Sequence, residues 1–171
     1  RQAQVVAERT FVRWHTCGLC EQPYHGVVYC ALGWACWKTY VGRPEADKLR
    51  MKAMTVLGLG LFEADRPEEA LTVQEAELSM LRRLGVVEER ILTTLNNLAA
   101  TYGNLGRYEE ALSMRRDVYS GLLKFNGEEH EKTLLAATNY TVSLLKVKRL
   151  EEARSLMRKT MPAARGILGE G

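Results

Sequence analysis

The sequence predicts an all-α protein, a right-handed solenoid of antiparallel helix pairs preceded by an N-terminal helical cap. Two repeated series carry this prediction. A similar short segment, rich in arginine, glutamate and alanine, recurs at 66–71, 107–112 and 149–154. A glycine recurs with nearly the same period, at Gly42, Gly85, Gly127 and Gly169. Two independent series with one period indicate a stack of similar structural units.

Each period is predicted to contain two helices. In the middle period, apolar side chains follow helical spacing from Ile91 to Leu105. The pair Gly106-Arg107 interrupts this pattern, and a second apolar run extends to Gly127. Neither helix can bury its apolar face alone, so neighbouring pairs must stack. The same reasoning places helix pairs at about 45–84, 87–125 and 129–166.

The domain organisation follows from these periods. Residues 1–44 form the predicted N-terminal cap with a cysteine-rich loop. Three repeats are predicted at 45–84, 85–126 and 127–168. Gly169-Glu170 then matches Gly127-Glu128, which indicates the start of a further repeat. Because an uncovered end of a solenoid exposes an apolar face, we expect the chain to be part of a larger assembly.

Composition narrows the function classes. The chain is 46% hydrophobic and 26% charged, as an ordinary globular protein is. Residues 51–171 carry 17 basic and 17 acidic side chains, interleaved as on solvated helix faces rather than gathered as in a nucleic-acid site. No apolar stretch reaches the ~20 residues of a membrane span. The sequence therefore predicts neither a nucleic-acid partner nor a membrane partner.

The segment 94–112 resembles the tetratricopeptide repeat, in the long form found in kinesin light chains. The matched positions are the leucine, small residue, tyrosine, glycine and alanine of that repeat: Leu98, Ala99, Tyr102, Gly106 and Ala111. The resemblance extends over residues 45–171, although Asp65 and Lys148 replace the turn glycine in the first and third repeats. It implies a non-catalytic scaffold that binds another protein or a peptide in a concave groove, and it leaves the ligand unnamed.

In this family the first helix of each pair lines the groove. The resemblance therefore selects polar residues of the first helices as peptide-binding: Lys52, Thr55, Thr93, Asn96, Asn104, Thr138 and Lys146. Side-chain amides suit this role because they can both donate to and accept from a peptide main chain. The alternative is a solvated polar helix face. Asn97 and Asn139 lie beside the core leucines and are expected to bond between helices.

All four cysteines lie between residues 17 and 36. This distribution excludes a disulfide framework over the whole fold and favours a reducing, intracellular compartment, the cytoplasm. The chain opens at Arg1 without an initiator methionine, so we expect a piece of a longer protein from which a targeting segment can be missing.

Cys17, Cys20, His25 and Cys30 have a spacing that resembles the zinc knuckle, which makes a zinc-binding adaptor the alternative function. A competing interpretation makes residues 2–15 and 26–41 a helix pair, with the first two cysteines in the joining loop. Cys30 would then point ~140° away from His25 around the helix axis, into the core. No other cofactor is expected. No nucleophile elbow or phosphate-binding loop is present, so the sequence does not predict an enzyme.

Overall fold

A computed structural model describes residues 11–168 of the chain. The regular elements in this range are seven α-helices and one short 3-10 helix, with an isolated antiparallel bridge between Thr16 and Pro23. None of these helices combines the length and apolar character needed to span a membrane. The chain divides into two compact units, Arg1–Gly85 and Val86–Gly171.

The first unit contains three helices. They are α1 (Gly26–Tyr40), α2 (Lys48–Glu63) and α3 (Pro67–Arg83), with the 3-10 helix Val12–Trp14 before them. Each α-helix packs against the next along the chain. The helix predicted at 26–41 is confirmed by α1. Of the helix predicted at 2–15, residues 2–10 lie outside the described part, and residues 12–14 adopt 3-10 rather than α geometry.

The second unit contains four helices, each packed against the next. They are α4 (Glu88–Asn104), α5 (Tyr108–Asn126), α6 (Glu131–Lys146) and α7 (Leu150–Leu168). With α2 and α3 they form the three helix pairs that the sequence period predicts. The all-α helical-repeat fold is confirmed, and the handedness of the whole array stays a prediction.

The turn inside each helix pair has the same backbone geometry. Asp65, Gly106 and Lys148 occupy it with φ of 58°, 74° and 62°. Only glycine adopts this left-handed region without a steric cost, so Asp65 and Lys148 are held there by the packing of their helices. After each turn an arginine pairs with a glutamate three positions later: Arg66–Glu69, Arg107–Glu110 and Arg149–Glu152.

Small residues allow the helices to approach closely. The alanines that recur in the three short segments, Ala70, Ala111 and Ala153, are 0%, 3% and 1% exposed and therefore buried. In the first unit α1 and α2 touch through their backbones at Gly60. A Cβ added there would lie 2.9 Å from the Cα of Cys30 and from the carbonyl oxygen of Tyr29. Glycine is therefore required for this contact.

Candidate functional site

A cleft in the second unit lies between the two first helices of successive pairs, α4 and α6, with α5 behind them. Its volume is about 160 Å³. Apolar side chains of α4 and α5 contribute Leu92, Val118 and Leu122. The other lining residues come from α4 and α6: Glu89, Thr93, Asn96, Lys132, Leu135, Ala136 and Asn139. The cleft thus combines apolar contact area with two side-chain amides.

The two amides are bonded to each other, and that of Asn96 is also bonded to an arginine behind the cleft. Asn139 Nδ2 donates to Asn96 Oδ1 at 3.4 Å, and Arg115 Nη1 of α5 donates to the same oxygen. Burial lowers the pKa of the Arg115 guanidinium, because desolvation disfavours its charge. Since Oδ1 of Asn96 already accepts two bonds, its Nδ2 group is left to donate to a ligand. Asn139 likewise keeps its Oδ1 as an acceptor.

A salt bridge joins the two walls at one end of the cleft. Lys132 Nζ of α6 lies 2.6 Å from Glu89 Oε1 of α4, and both side chains are more than half exposed. The hydrogen bond from Lys132 lowers the pKa of the Glu89 carboxyl. The pair therefore ties α4 to α6 while its charges remain in contact with solvent.

Only some of the predicted peptide-binding residues meet in this cleft. Thr93 and Asn96 line it, and Thr93 Oγ1 donates to the carbonyl oxygen of Glu89 in its own helix at 3.0 Å. Asn104 and Lys146 are exposed at the C-terminal ends of α4 and α6 and do not line it. Thr138 is exposed and bonded to Leu134 of its own helix, and it too lies outside the cleft lining.

The two predicted residues of the first unit are engaged within that unit. Thr55 Oγ1 lies 2.5 Å from Oε1 of Glu77, a carboxylate on α3 that is only 1% exposed. Lys52 Nζ lies 5.7 Å from the ring centroid of Phe11. These contacts give both side chains a role in packing α2.

Lys132 and Asn139 line the cleft, and Arg115 bonds to Asn96 from α5 behind it. The sequence assigned none of these three residues to ligand binding. The expectation that Asn139 bonds between helices is met by its bond from α6 to Asn96 of α4. Asn97, for which the same was expected, is half-buried. Arg115 lies on a second helix, which the resemblance places outside the groove. One sequence signal could have identified Arg115. It lies on α5, the helix paired with α4, and its long side chain can therefore reach Asn96 on α4.

The four predicted zinc ligands are not brought together. Cys30 lies within α1 and is buried against Leu57 and Leu61, with Arg66 Nη1 at 4.0 Å from its sulfur. Nδ1 of His25 lies 3.2 Å from the carboxylate of Glu63 instead. Within residues 11–168 no group of three His, Cys, Asp or Glu side chains could hold a metal ion. The burial of Cys30 agrees with that part of the competing interpretation, whereas the helix that it places at 2–15 lies mostly outside the described residues.

Cys17 and Cys20 lie in the loop before α1, as that interpretation expects. The loop is closed by a bond from Cys17 N to Gln22 O at 2.9 Å and by one from Tyr24 N to His15 O at 3.0 Å. Hydrogen bonds from the backbone of Cys20 and Leu19 lower the pKa of Cys17 to about 7. Burial raises the pKa of Cys36, inside the core of the unit, to about 12. The two thiols therefore differ strongly in ionisation.

Comparison with known proteins supports the fold. Residues 90–166 match the family model of the tetratricopeptide repeat. The TPR-like repeats of a kinesin light chain-like protein from Podosopora anserina have a TM-score of 0.68 at 18% identity, covering 81% of this chain and 64% of that one. BtubC (BKLC) from P. vanneervenii has a TM-score of 0.66 at 16% identity, covering 81% and 54%.

A third similar structure is a Rap protein in complex with competence and sporulation factor. Its TM-score is 0.65 at 17% identity, covering 81% of this chain and 37% of that one. The present chain thus spans less than two thirds of the length of each of these three proteins. No curated protein matches the sequence. At these identities the similarity establishes the fold, and the function has to be argued from the cleft.

Proposed function

Because residues 90–166 match the tetratricopeptide-repeat family model and the chain has the fold of kinesin light chain-like repeats, we propose that it is a non-catalytic scaffold. Its cleft between α4 and α6 binds a peptide segment of another protein. The observation that carries this proposal is the bonded amide pair of Asn96 and Asn139 inside an open apolar cleft. The Rap protein solved with competence and sporulation factor shares the fold, which supports a binding role.

The chemistry of the cleft suits an extended peptide. Every residue of such a peptide, proline excepted, offers one N–H donor and one carbonyl acceptor. Nδ2 of Asn96 can donate to a carbonyl and Oδ1 of Asn139 can accept from an N–H. Arg115 acts as a positioning residue, because its bond to Oδ1 of Asn96 fixes which end of that amide is available. Leu92 and Leu135 add apolar contact for a peptide side chain.

The size and charges of the cleft argue against catalysis. Its volume of about 160 Å³ is below the ~300–1,000 Å³ of pockets that enclose small-molecule ligands. A general acid or base needs a pKa near the working pH, whereas the pKa of Glu89 is lowered by its bond to Lys132. The two charged groups of the cleft pair with each other. This arrangement supports binding without chemistry.

The first experiment selects peptides from a random display library against the 171-residue chain and measures their affinities for variants. Asn96→Asp keeps an oxygen for Arg115 and Asn139 but removes the Nδ2 donor. We expect it to weaken a selected peptide about tenfold, the equivalent of ~1.4 kcal/mol for one buried hydrogen bond. The matched control is Asn104→Asp, which makes the same change at an exposed amide outside the cleft. Equal losses in both variants would contradict the proposal.

A second pair of variants tests the apolar part of the cleft. Leu135 and Val142 both lie on α6 and are 61% and 50% exposed, but only Leu135 lines the cleft. We expect Leu135→Ala to weaken the selected peptides and Val142→Ala to leave them unchanged. If neither variant affects binding, α6 presents only a solvated face to the peptide, and the cleft is not its binding surface.

A further inference from the structure

The loop before α1 brings together two cysteines that have no part in the peptide cleft. In this loop Glu21 N donates to Cys17 O at 3.0 Å, which closes one tight turn around Gly18, Leu19 and Cys20. Glu21 ends the turn with a left-handed φ of 57°. Residues three positions apart across a turn have Cα atoms less than ~7 Å apart, which is a separation that a disulfide can span. The turn therefore holds Cys17 and Cys20 as a pair.

Further bonds anchor this turn to the rest of the first unit. Cys17 N donates to Gln22 O at 2.9 Å, and Tyr24 N donates to His15 O at 3.0 Å. The side chain of Tyr24 packs against the core of the unit. The turn is thus fixed at both ends, and the two thiols keep their positions relative to each other.

The sulfur atoms of the pair interact directly. The pKa of Cys17 is lowered to about 7 by hydrogen bonds from the backbone of Cys20 and Leu19 and by a further one from the thiol of Cys20. A hydrogen bond between two thiols requires their sulfurs to be adjacent. The thiolate is the form of cysteine that attacks disulfides, and a lowered pKa increases its fraction at neutral pH. Cys17 is therefore suited to be the nucleophile, and the exposed Cys20 to be the second thiol.

The other two cysteines are shielded from reagents in solution. Cys30 and Cys36 are 6% and 0% exposed. Burial also raises the pKa of Cys36 to about 12, so its thiol stays protonated at neutral pH. A thiol-reactive molecule in solution therefore meets Cys17 and Cys20 and not the two cysteines of α1.

We propose that Cys17 and Cys20 form a reversible redox site, which low-molecular-weight disulfides such as oxidised glutathione convert to an intramolecular disulfide. Sγ of Cys17, as a thiolate, attacks one sulfur of the small disulfide, forms a mixed disulfide with it and expels its other half as a thiolate. The thiol of Cys20 then loses its proton to solvent, attacks Sγ of Cys17 and expels the second thiolate. The chain loses two electrons and two protons, and the small disulfide is reduced to two thiols.

The reaction runs in both directions, because an excess of the reduced small thiol reverses each exchange step. Disulfides of this transient kind are the ones that occur in reducing compartments, where they act in catalysis or redox sensing. The site lies in the first unit and does not depend on the proposed peptide binding.

The test equilibrates the folded chain with mixtures of oxidised and reduced glutathione, alkylates the remaining thiols and identifies the products by mass spectrometry. Cleavage after Glu21 separates Cys17 and Cys20 from Cys30 and Cys36, because Glu21 lies between the two pairs. We expect the peptide with the loop cysteines to lose two hydrogens in oxidising mixtures and to regain them when reduced glutathione is added. The peptide with Cys30 and Cys36 should stay reduced throughout.

Two matched variants separate the roles of the two thiols. In Cys20→Ser the mixed disulfide at Cys17 has no second thiol to resolve it and should accumulate. At about 0.1 mM reduced glutathione we expect it to be about tenfold or more abundant than in the unmodified chain, because a tethered thiol has an effective concentration in the mM range. Cys17→Ser should form its mixed disulfide at Cys20 about threefold more slowly than Cys20→Ser forms it at Cys17.

Three results would overturn the proposal. The first is a loop peptide that stays reduced in an excess of oxidised glutathione. The second is a mixed disulfide at Cys17 that is as abundant in the unmodified chain as in Cys20→Ser, which would show that Cys20 does not resolve it. The third is a disulfide that joins a loop cysteine to Cys30, to Cys36 or to a second chain, which would show that the turn does not hold the pair together.

Discussion

The two units use equivalent positions of the repeat in different ways. Thr55 of α2 and Asn96 of α4 stand one repeat apart, each on the first helix of its pair, and each bonds a charged side chain of the second helix. In the first unit that partner is a carboxylate, Glu77. In the second it is a guanidinium, Arg115. A hydroxyl that donates to Glu77 has its proton engaged, whereas an amide that accepts from Arg115 keeps N–H donors for a ligand.

The helices also meet differently in the two units. Gly60 lets α1 and α2 touch backbone to backbone, so little space remains between them at that level. In the second unit, the cleft lies between α4 and α6, which are the first helices of two successive pairs and have α5 between them in the chain. The first unit thus shows a close contact between consecutive helices, and the second unit shows an open space between the first helices of two pairs.

The largest effect is expected from the glycine contact of the first unit. Gly60→Ala forces a methyl group against the backbone of α1, and we expect it to lower the free energy of unfolding by ~1–3 kcal/mol. Gly103 lies in α4 with nothing within 4 Å of an added Cβ. Gly103→Ala should therefore raise stability, by up to ~1 kcal/mol through helix propensity. Urea denaturation measures both. If both substitutions change the free energy of unfolding equally, the close backbone contact at Gly60 does not distinguish the first unit from the second.

The hydroxyl contact of the first unit comes next. Thr55→Val removes one hydrogen-bond donor to a carboxylate that is only 1% exposed, so we expect the free energy of unfolding to fall by ~1–3 kcal/mol. Thr93→Val is the control in the second unit, because the hydroxyl of Thr93 is exposed and bonds only its own helix. It should change stability by less than ~0.5 kcal/mol. A stable Thr55→Val variant would show that Glu77 does not depend on this contact.

The turns are where the units are alike, and the same substitution should act in both. Asp65→Gly and Lys148→Gly relieve a left-handed residue in the first and second unit, and each should stabilise by ~1 kcal/mol. Gly106→Lys should destabilise by a similar amount. Thermal unfolding of the three variants measures these changes in stability. If a substitution by glycine stabilises only one of the two units, the turns are not equivalent.

The smallest effect is expected at the cleft salt bridge. The pKa of Glu89 is lowered in the folded chain, so its contribution to stability is present at neutral pH and is lost as the pH falls through that lowered value. Glu89→Gln should therefore be slightly less stable than the unmodified chain at neutral pH and equal to it in acid, below the pKa of Glu89. A difference that grows on acidification would contradict the assigned pairing with Lys132.

The fold was accessible from the sequence because its signals are repetitive. The repeat period located the helix pairs, and the recurring short segment placed Ala70, Ala111 and Ala153 at equivalent positions of the three repeats. These features depend on the spacing of residues within one repeat, and the same spacing recurs in every repeat. The left-handed turn could also be located, although Asp65 and Lys148 stand there in place of glycine.

The composition of the cleft was less accessible because it depends on orientation. A shift of one position along the chain rotates a side chain by ~100° around a helix, which separates Asn139 inside the cleft from Thr138 outside it. Arg115 reaches the cleft amide from a neighbouring helix, a contact that no spacing within α4 or α6 encodes. The cysteine spacing resembled a metal motif because spacing alone does not show that α1 carries Cys30 into the core.

The central claim is that a peptide binds between α4 and α6 through the amide pair, and side-chain amide signals in ¹⁵N-resolved NMR test it most directly. A peptide selected against the chain is titrated while the Nδ2 groups of Asn96, Asn139 and Asn104 are followed. We expect the Asn96 and Asn139 signals to shift with saturation and the Asn104 signal to stay in place. Saturable binding that shifts Asn104 and leaves Asn96 and Asn139 unchanged would contradict the claim.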